Sequence, residues 1–170
     1  MQASADALVV LGVDPGLTAT GYGLLLVQDG LFRSLDFGTI YPLAHLPKEE
    51  KLKVLHEGLL AAIARWQPQE MAVEDFVVGH ARAAMVIGEV RAMALLAAAQ
   101  AGLPVTLYKP SQIKQFVTAY GRGSKAQVAE MVRALLGMEE APQPEDAADA
   151  LAVALCHCLR RNSPIQAGPP

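Results

Sequence analysis

The chain is 170 residues long, 52% hydrophobic, 18% charged and 5% aromatic, with 14 Lys and Arg against 17 Asp and Glu. This is the length of one ordinary domain, able to bury about two-thirds of the surface its unfolded chain exposes, so it needs no disulfide or zinc staple. The composition excludes a disordered tail, a collagen-like repeat and a polybasic arm, and the net charge of −3 counts weakly against a polyanionic partner.

Met1–Asp6 is small and polar and is expected to fray; it lacks the basic start and apolar run of a secretory signal. Leu8–Asp14 is an apolar run stopped by Pro15-Gly16 and reads as a buried strand. Gly21–Gln28 is a second strand, Asp29-Gly30 a hairpin turn, and Leu31–Ile40 a third strand antiparallel to the second. From Pro47 to about Trp66, Leu52, Leu55, Leu59, Leu60 and Ile63 recur at helical spacing, and Gln67-Pro68 closes the helix. Met71–Phe76 is a fourth strand, His80–Ala101 an Ala- and Met-rich helix capped by Gly102, and Pro104–Tyr108 a fifth strand. A helix opens at Pro110 and runs to about Ala119, and Gly121–Gly123 is a loop. Ser124 and Gln127 form a capping box that starts a helix to about Leu136. After a linker over Gly137–Pro144, Glu145–Arg161 is the last helix, apolar on several faces and hence largely covered.

Three strands in a meander followed by strand–helix–strand imply an α/β protein, with a mixed five-stranded sheet carrying helices on both faces. Residues 1–161 read as a single domain and 162–170 as a flexible tail. No uninterrupted apolar run approaches the ~18 residues of a membrane span, because Glu89, Arg91, Gln100 and Gly102 intervene. Cys156 and Cys158 sit two apart in a helix, a poor disulfide geometry, and no second pair completes a zinc site. They read as small buried apolar residues in a reducing, cytoplasmic compartment.

The chemistry lies in four carboxylates with apolar neighbours. Asp14 ends the first strand, Glu74 ends the fourth, and Asp146 and Asp149 share one face of the last helix's first turns. Singly, Asp14 reads as a turn residue, Asp146 as a complement to the helix dipole and Glu74 as an arginine's partner. Jointly these readings need three coincidences. Converging carboxylates would repel and raise one another's pKa, and Mg²⁺ relieves that by taking carboxylate oxygens. Asp75 and Glu145 are the nearest competitors; Asp75 should point to the other sheet face from Glu74.

At these residues the sequence resembles the RuvC family of Holliday-junction resolvases. The matching segments are Leu-Gly-Val-Asp-Pro-Gly at 11–16, Thr-Gly-Tyr-Gly at 20–23, Ala-Val-Glu at 72–74, Gln-Ile-Lys-Gln at 112–115, Lys-Ala-Gln-Val at 125–128 and Asp-Ala-Ala-Asp-Ala-Leu-Ala at 146–152. They stand in the family's order and span most of the chain. The resemblance implies a ribonuclease H-like fold, a homodimer, and metal-dependent paired nicking of four-way junction DNA in recombination and repair. It implies two Mg²⁺ per subunit, with Mn²⁺ able to substitute, and suggests the branch-migration motor RuvA and RuvB as a partner. By position Asp14, Glu74, Asp146 and Asp149 match the metal-binding carboxylates, and Lys114 and Lys125 match lysines implicated in DNA binding and catalysis. In a two-metal scheme Asp14 is the bridging ligand, Glu74 and Asp149 complete the two shells, and Asp146 orients or binds one ion. The family's stacking aromatic, three residues after the strand-end Glu, is Val77 here, with Phe76 one residue earlier; Phe76 as stacking residue and as core residue both stay open.

Between Lys109 and Arg133 the basic residues Lys109, Lys114, Arg122, Lys125 and Arg133 face Glu130 alone, a local +4. Lys125 follows the Ser124 cap, beside the free N–H groups of a helix start, a ready anion site. His80 and Arg82 follow the fourth strand's loop and could reach the junction centre, whereas His45, His56 and His157 show no partner pattern. The helix over 80–101 has too many apolar positions for one buried stripe, and Met85, Ile87, Met93 and Leu96 suggest a subunit interface. Competing readings are a related nuclease acting on structured RNA, a non-catalytic junction-binding protein, and an actin/Hsp70-like ATP-binding module, for which one domain of this size leaves no room. Two bound Mg²⁺ would offset the four site carboxylates and turn the net −3 into +1.

Overall fold

The computed structural model describes residues 7–76, 78–118 and 123–162. Met1–Asp6, Val77, Arg122 and the tail after Asn162 therefore lie outside the described residues. The strands are β1 (Leu8–Asp14), β2 (Thr20–Gln28), β3 (Leu31–Ile40), β4 (Glu70–Glu74) and β5 (Val105–Tyr108). The helices are α1 (Lys48–Trp66), α2 (Ala81–Gln100), α3 (Pro110–Thr118), α4 (Lys125–Leu135) and α5 (Glu145–Asn162). The expected elements are present, with ends shifted by a residue or two. One shift bears on the site: β4 stops at Glu74, so Phe76 lies beyond the strand and is not bound by its alternation.

The sheet order is β3-β2-β1-β4-β5. The hairpin between β2 and β3 turns through Asp29 and Gly30, both at positive φ, which matches the twist of its strands. β1 then runs parallel to β4, and β4 parallel to β5, as a strand–helix–strand crossover requires. This is the mixed α/β sheet expected from the element order.

Alternation along the strands sends side chains to two cores. Leu11, Val13, Met71 and Val73 pack with α1 and α2. Val10 and Ala72 face α5, with Tyr108, Ile113, Val128 and Val132 around it. α5 is buried from Ala150 to Cys158, because it lies between the sheet and both α3 and α4. It can lie so close to the sheet only because two positions lack side chains: a Cβ on Gly12 would strike the Ala150 carbonyl, and one on Gly21 the Asp146 carbonyl. Cys156 and Cys158 are free and buried here, and burial pushes both thiols up to about 12.

By length and composition α2 qualifies as a membrane span, which the sequence reading excluded. Its packing shows a different use. Val90, Met93, Ala94, Ala97 and Ala98 enter the core, Glu89 pairs with Lys48 and Arg91 with Asp75. Met93 was expected on a second contact surface, but it is 7% exposed within the core; Met85 and Leu96 are 70% and 54% exposed. The difference is rotational: Met93 shares its helix face with Val90, Ala94 and Ala97.

Candidate active site

The β1–β4 register places the first two carboxylates. Val13 is level with Val73, so Asp14 and Glu74 stand side by side at the ends of parallel strands, pointing to the α5 side. Asp75, one residue on, instead pairs with Arg91 of α2 on the opposite face. The close seating of α5 over Gly12 and Gly21 then brings Asp149 above the strand ends.

Asp14, Glu74 and Asp149 line one cavity of about 180 Å³. Lys114 from α3, Lys125 from the start of α4, and Phe76 border it, with Ile113 and Val128 as apolar walls. Phe76 is 48% exposed at this edge and is not a core residue. Asp146 does not line the cavity, although its charge is felt by Asp14 and Asp149. Lys109 is exposed beside the start of α3, its N–H donating to the Gln112 side chain. His80 is the exposed N-cap of α2 and Arg82 is exposed in its first turn; neither reaches the cavity lining.

The electrostatics are those of crowded acids. Burial, then a hydrogen bond and repulsion from Glu74, then the charges of Asp149 and Asp146 push Asp14 up to about 9. Burial also raises Glu74, opposed by the Asp14 hydrogen bond and by Lys125 and Lys114. Both carboxyls are thus harder to ionise than in water, because they are buried side by side. Asp149 is raised by burial and partly relieved by Lys125. The Lys125 Nζ lies 3.3 Å from Asp149 and 2.7 Å from Glu145, and these pairings raise its own pKa.

Among the described residues, no three acidic, His or Cys side chains close up as a finished ion cage. Asp14 and Glu74 are crowded against each other, and the Lys125 ammonium holds Asp149. Carboxylate repulsion here demands positive charge, which Lys125 supplies in part. An all-oxygen donor set of this kind suits a hard divalent cation such as Mg²⁺ or Mn²⁺.

The capping box that fixes Lys125 is formed as the sequence indicated: the Gln127 N–H donates to Ser124 Oγ at 3.2 Å, and the Ser124 N–H donates to Gln127 Oε1 at 2.8 Å. Two features escaped the sequence reading. Glu145 was weighed only as a rival to Asp146, yet it is the nearer partner of Lys125. His157, assigned nothing, is buried between Tyr108 and Glu70, which lie 49 and 87 residues away along the chain.

The model of the family described as "Crossover junction endodeoxyribonuclease RuvC" matches residues 10–157 of this chain. The chain belongs to the RuvC family. A RuvC relative from Heliobacterium modesticaldum is 47% identical over 150 residues, 88% of this chain and 93% of that one. One from Chloroflexus aggregans is 46% identical over 148 residues, covering 86% and 90%. The structure of Thermus thermophilus RuvC with a Holliday junction substrate superposes with a TM-score of 0.85 at 36% identity, over 91% of this chain and 94% of that one. The yeast mitochondrial Holliday junction resolvase shares the fold alone, with a TM-score of 0.59 at 14% identity. The sheet and its flanking helices are therefore the RuvC, ribonuclease H-like architecture.

Proposed function

We propose that this chain is a Holliday-junction resolvase that nicks four-way DNA junctions as a homodimer, using two Mg²⁺ per subunit with Mn²⁺ able to substitute. The observation that carries the reading is the cavity at the ends of β1 and β4, where Asp14, Glu74 and Asp149 face Lys114, Lys125 and Phe76 in a RuvC-family chain.

Asp14, Glu74 and Asp149 would hold the ions, and Asp146, set back from the cavity, adds negative charge behind them. When bound, such ions would supply an activated water and charge stabilisation for the departing 3′ oxygen of a phosphodiester. Asp14 feels the charge of both other carboxylates and would be the residue common to both ions. Lys114 and Lys125 place positive charge on the phosphate side of the cavity, and Phe76 offers a ring face to an unpaired junction base. Lys109, His80 and Arg82 contact DNA farther out, positioning the phosphate backbone without reading sequence, and Arg122 is a further DNA contact.

Met85, Ala92, Leu96 and Ala99 form a stripe on the outer side of α2, and the two large residues are among its exposed members. A second copy of the chain covers this stripe, giving two cavities related by two-fold symmetry for two symmetric nicks. Residues 1–161 act as one nuclease domain, in the cytoplasm, with RuvA and RuvB as the motor partner.

The deciding experiment is cleavage of a synthetic four-way junction beside linear duplex and structured RNA, with and without Mg²⁺. Paired nicks in the junction alone, and only with the metal, are expected. Preferential RNA cleavage supports the alternative nuclease, and junction binding without cleavage supports a non-catalytic protein; either overturns the proposal.

A further inference from the structure

We propose that Glu145 is a positioning residue for Lys125, holding its ammonium over the cavity when Asp149 turns to a cation. This rests on the reading of the site as a metal-dependent nuclease centre. Glu145 and Asp149 are four apart, hence one above the other on the same face of α5. The Lys125 Nζ bridges them, at 2.7 Å from Glu145 and 3.3 Å from Asp149. The two carboxylates differ in where they stand. Asp149 lines the cavity and its side chain is 22% exposed; Glu145 is 64% exposed and outside the lining.

A divalent cation therefore competes with Lys125 for Asp149 and not for Glu145. A lysine held by Asp149 alone would be released to solvent at that moment, because its long flexible stem has many rotamers and its head is strongly hydrated. With Glu145 as second anchor the head is retained at the rim, within reach of a phosphate. An ion pair this exposed adds little to folding stability, so its consequence is orientation. The two helix starts are themselves well placed: the Ser124–Gln127 box fixes the Lys125 backbone, and the contact of Asp146 with Gly21 fixes that of Glu145.

The test uses the full chain and two measurements. In ¹⁵N–¹H spectra of lysine side-chain ammonium groups, metal-free wild type should show a slowly exchanging Lys125 signal that is lost in Glu145→Gln and retained in Glu145→Asp. This reading does not depend on any nuclease activity. In single-turnover cleavage of a four-way junction with Mg²⁺, Glu145→Gln should slow cleavage on the order of ten-fold with junction affinity nearly unchanged, and Glu145→Asp should recover much of the rate. In a Lys125→Met background, Glu145→Gln should change the rate no further. An unchanged Lys125 signal in Glu145→Gln, or an equal rate loss with and without Lys125, would overturn the proposal. Failure of wild type to cleave junctions would instead sink the nuclease reading while the ammonium spectra still judged the pairing.

Discussion

The two ends of α5 solve the same problem in opposite ways. At its C-terminal end each buried polar group finds a partner. The Tyr108 hydroxyl donates to His157 Nδ1 at 2.8 Å, His157 Nε2–H donates to Glu70 at 2.5 Å, and Arg161 pairs with the other Glu70 oxygen. At its N-terminal end, Asp149 is set against Asp14 and Glu74, and the Lys125 ammonium relieves the three carboxylates only in part. The first arrangement fastens helix to sheet. The second stores repulsion that a divalent cation would release, which is how a binding site differs from a clamp.

The sharpest test of this contrast is Asp14→Asn. Removing this carboxylate should lower junction cleavage by on the order of 10³-fold or more while leaving junction binding in place. The same change should stabilise the metal-free protein. The folded pKa of Asp14 lies near 9, above its unfolded value of about 4, so the folded state holds the proton more tightly. Stability from this group is complete below pH 4 and is lost as pH rises toward 9. Metal-free Asp14→Asn should therefore melt at least about 3 °C above wild type at pH 8, with a smaller gap at pH 5. Mg²⁺ should raise the melting temperature of wild type and not of the variant. An Asp14→Asn protein that melts below wild type at pH 8 would contradict stored repulsion.

Between the two ends lies Gly12, against which α5 rests. Gly12→Ala should cost about 2–3 kcal/mol in urea unfolding, since the new methyl strikes the Ala150 backbone and no flexible side chain can give way. It should also depress cleavage by lifting Asp149 from Asp14, although neither carboxylate is altered.

His157→Phe probes the satisfied end. Leaving the Tyr108 hydroxyl and Glu70 without their partner should cost about 1–3 kcal/mol, with cleavage per folded molecule unchanged. Burial lowers the His157 pKa, so its folded value lies below the unfolded 6.5. The stability this neutral histidine supplies is present above pH 6.5 and lost as pH falls below it. The gap between wild type and variant should accordingly narrow on acidification, as followed by urea melts from pH 7.5 to pH 5.5.

The smallest effect on folding is expected at the frustrated end's own cation, although cleavage should slow at least as much as in Glu145→Gln. Lys125→Ala should weaken junction binding and reduce the log–log salt slope by nearly one unit. An unchanged slope would remove Lys125 from the phosphate contacts and leave it only its role beside Asp149.

Much of this molecule was legible in short stretches of chain. Apolar alternation and turn residues located all five strands, because those signals act between neighbours in sequence. The apolar settings of Asp14, Glu74 and Asp149 marked them before any fold was known. Ser124 and Gln127 announced the helix start that carries Lys125, since a capping box is closed within four residues. Distance along the chain erased the rest. That Asp14 stands beside Glu74 depends on parallel pairing across 60 residues, which is set by the packing of two whole cores. Rotation of α2 about its axis decided that Met93 is core and Met85 surface, a choice no composition makes. The Tyr108–His157–Glu70 chain and the Glu145–Lys125 pair join side chains that have no local relation at all. Sequence determined which residues could do chemistry and on which element each rides. Only the tertiary structure decided which of them meet, because a contact between distant residues exists only once the intervening elements have packed.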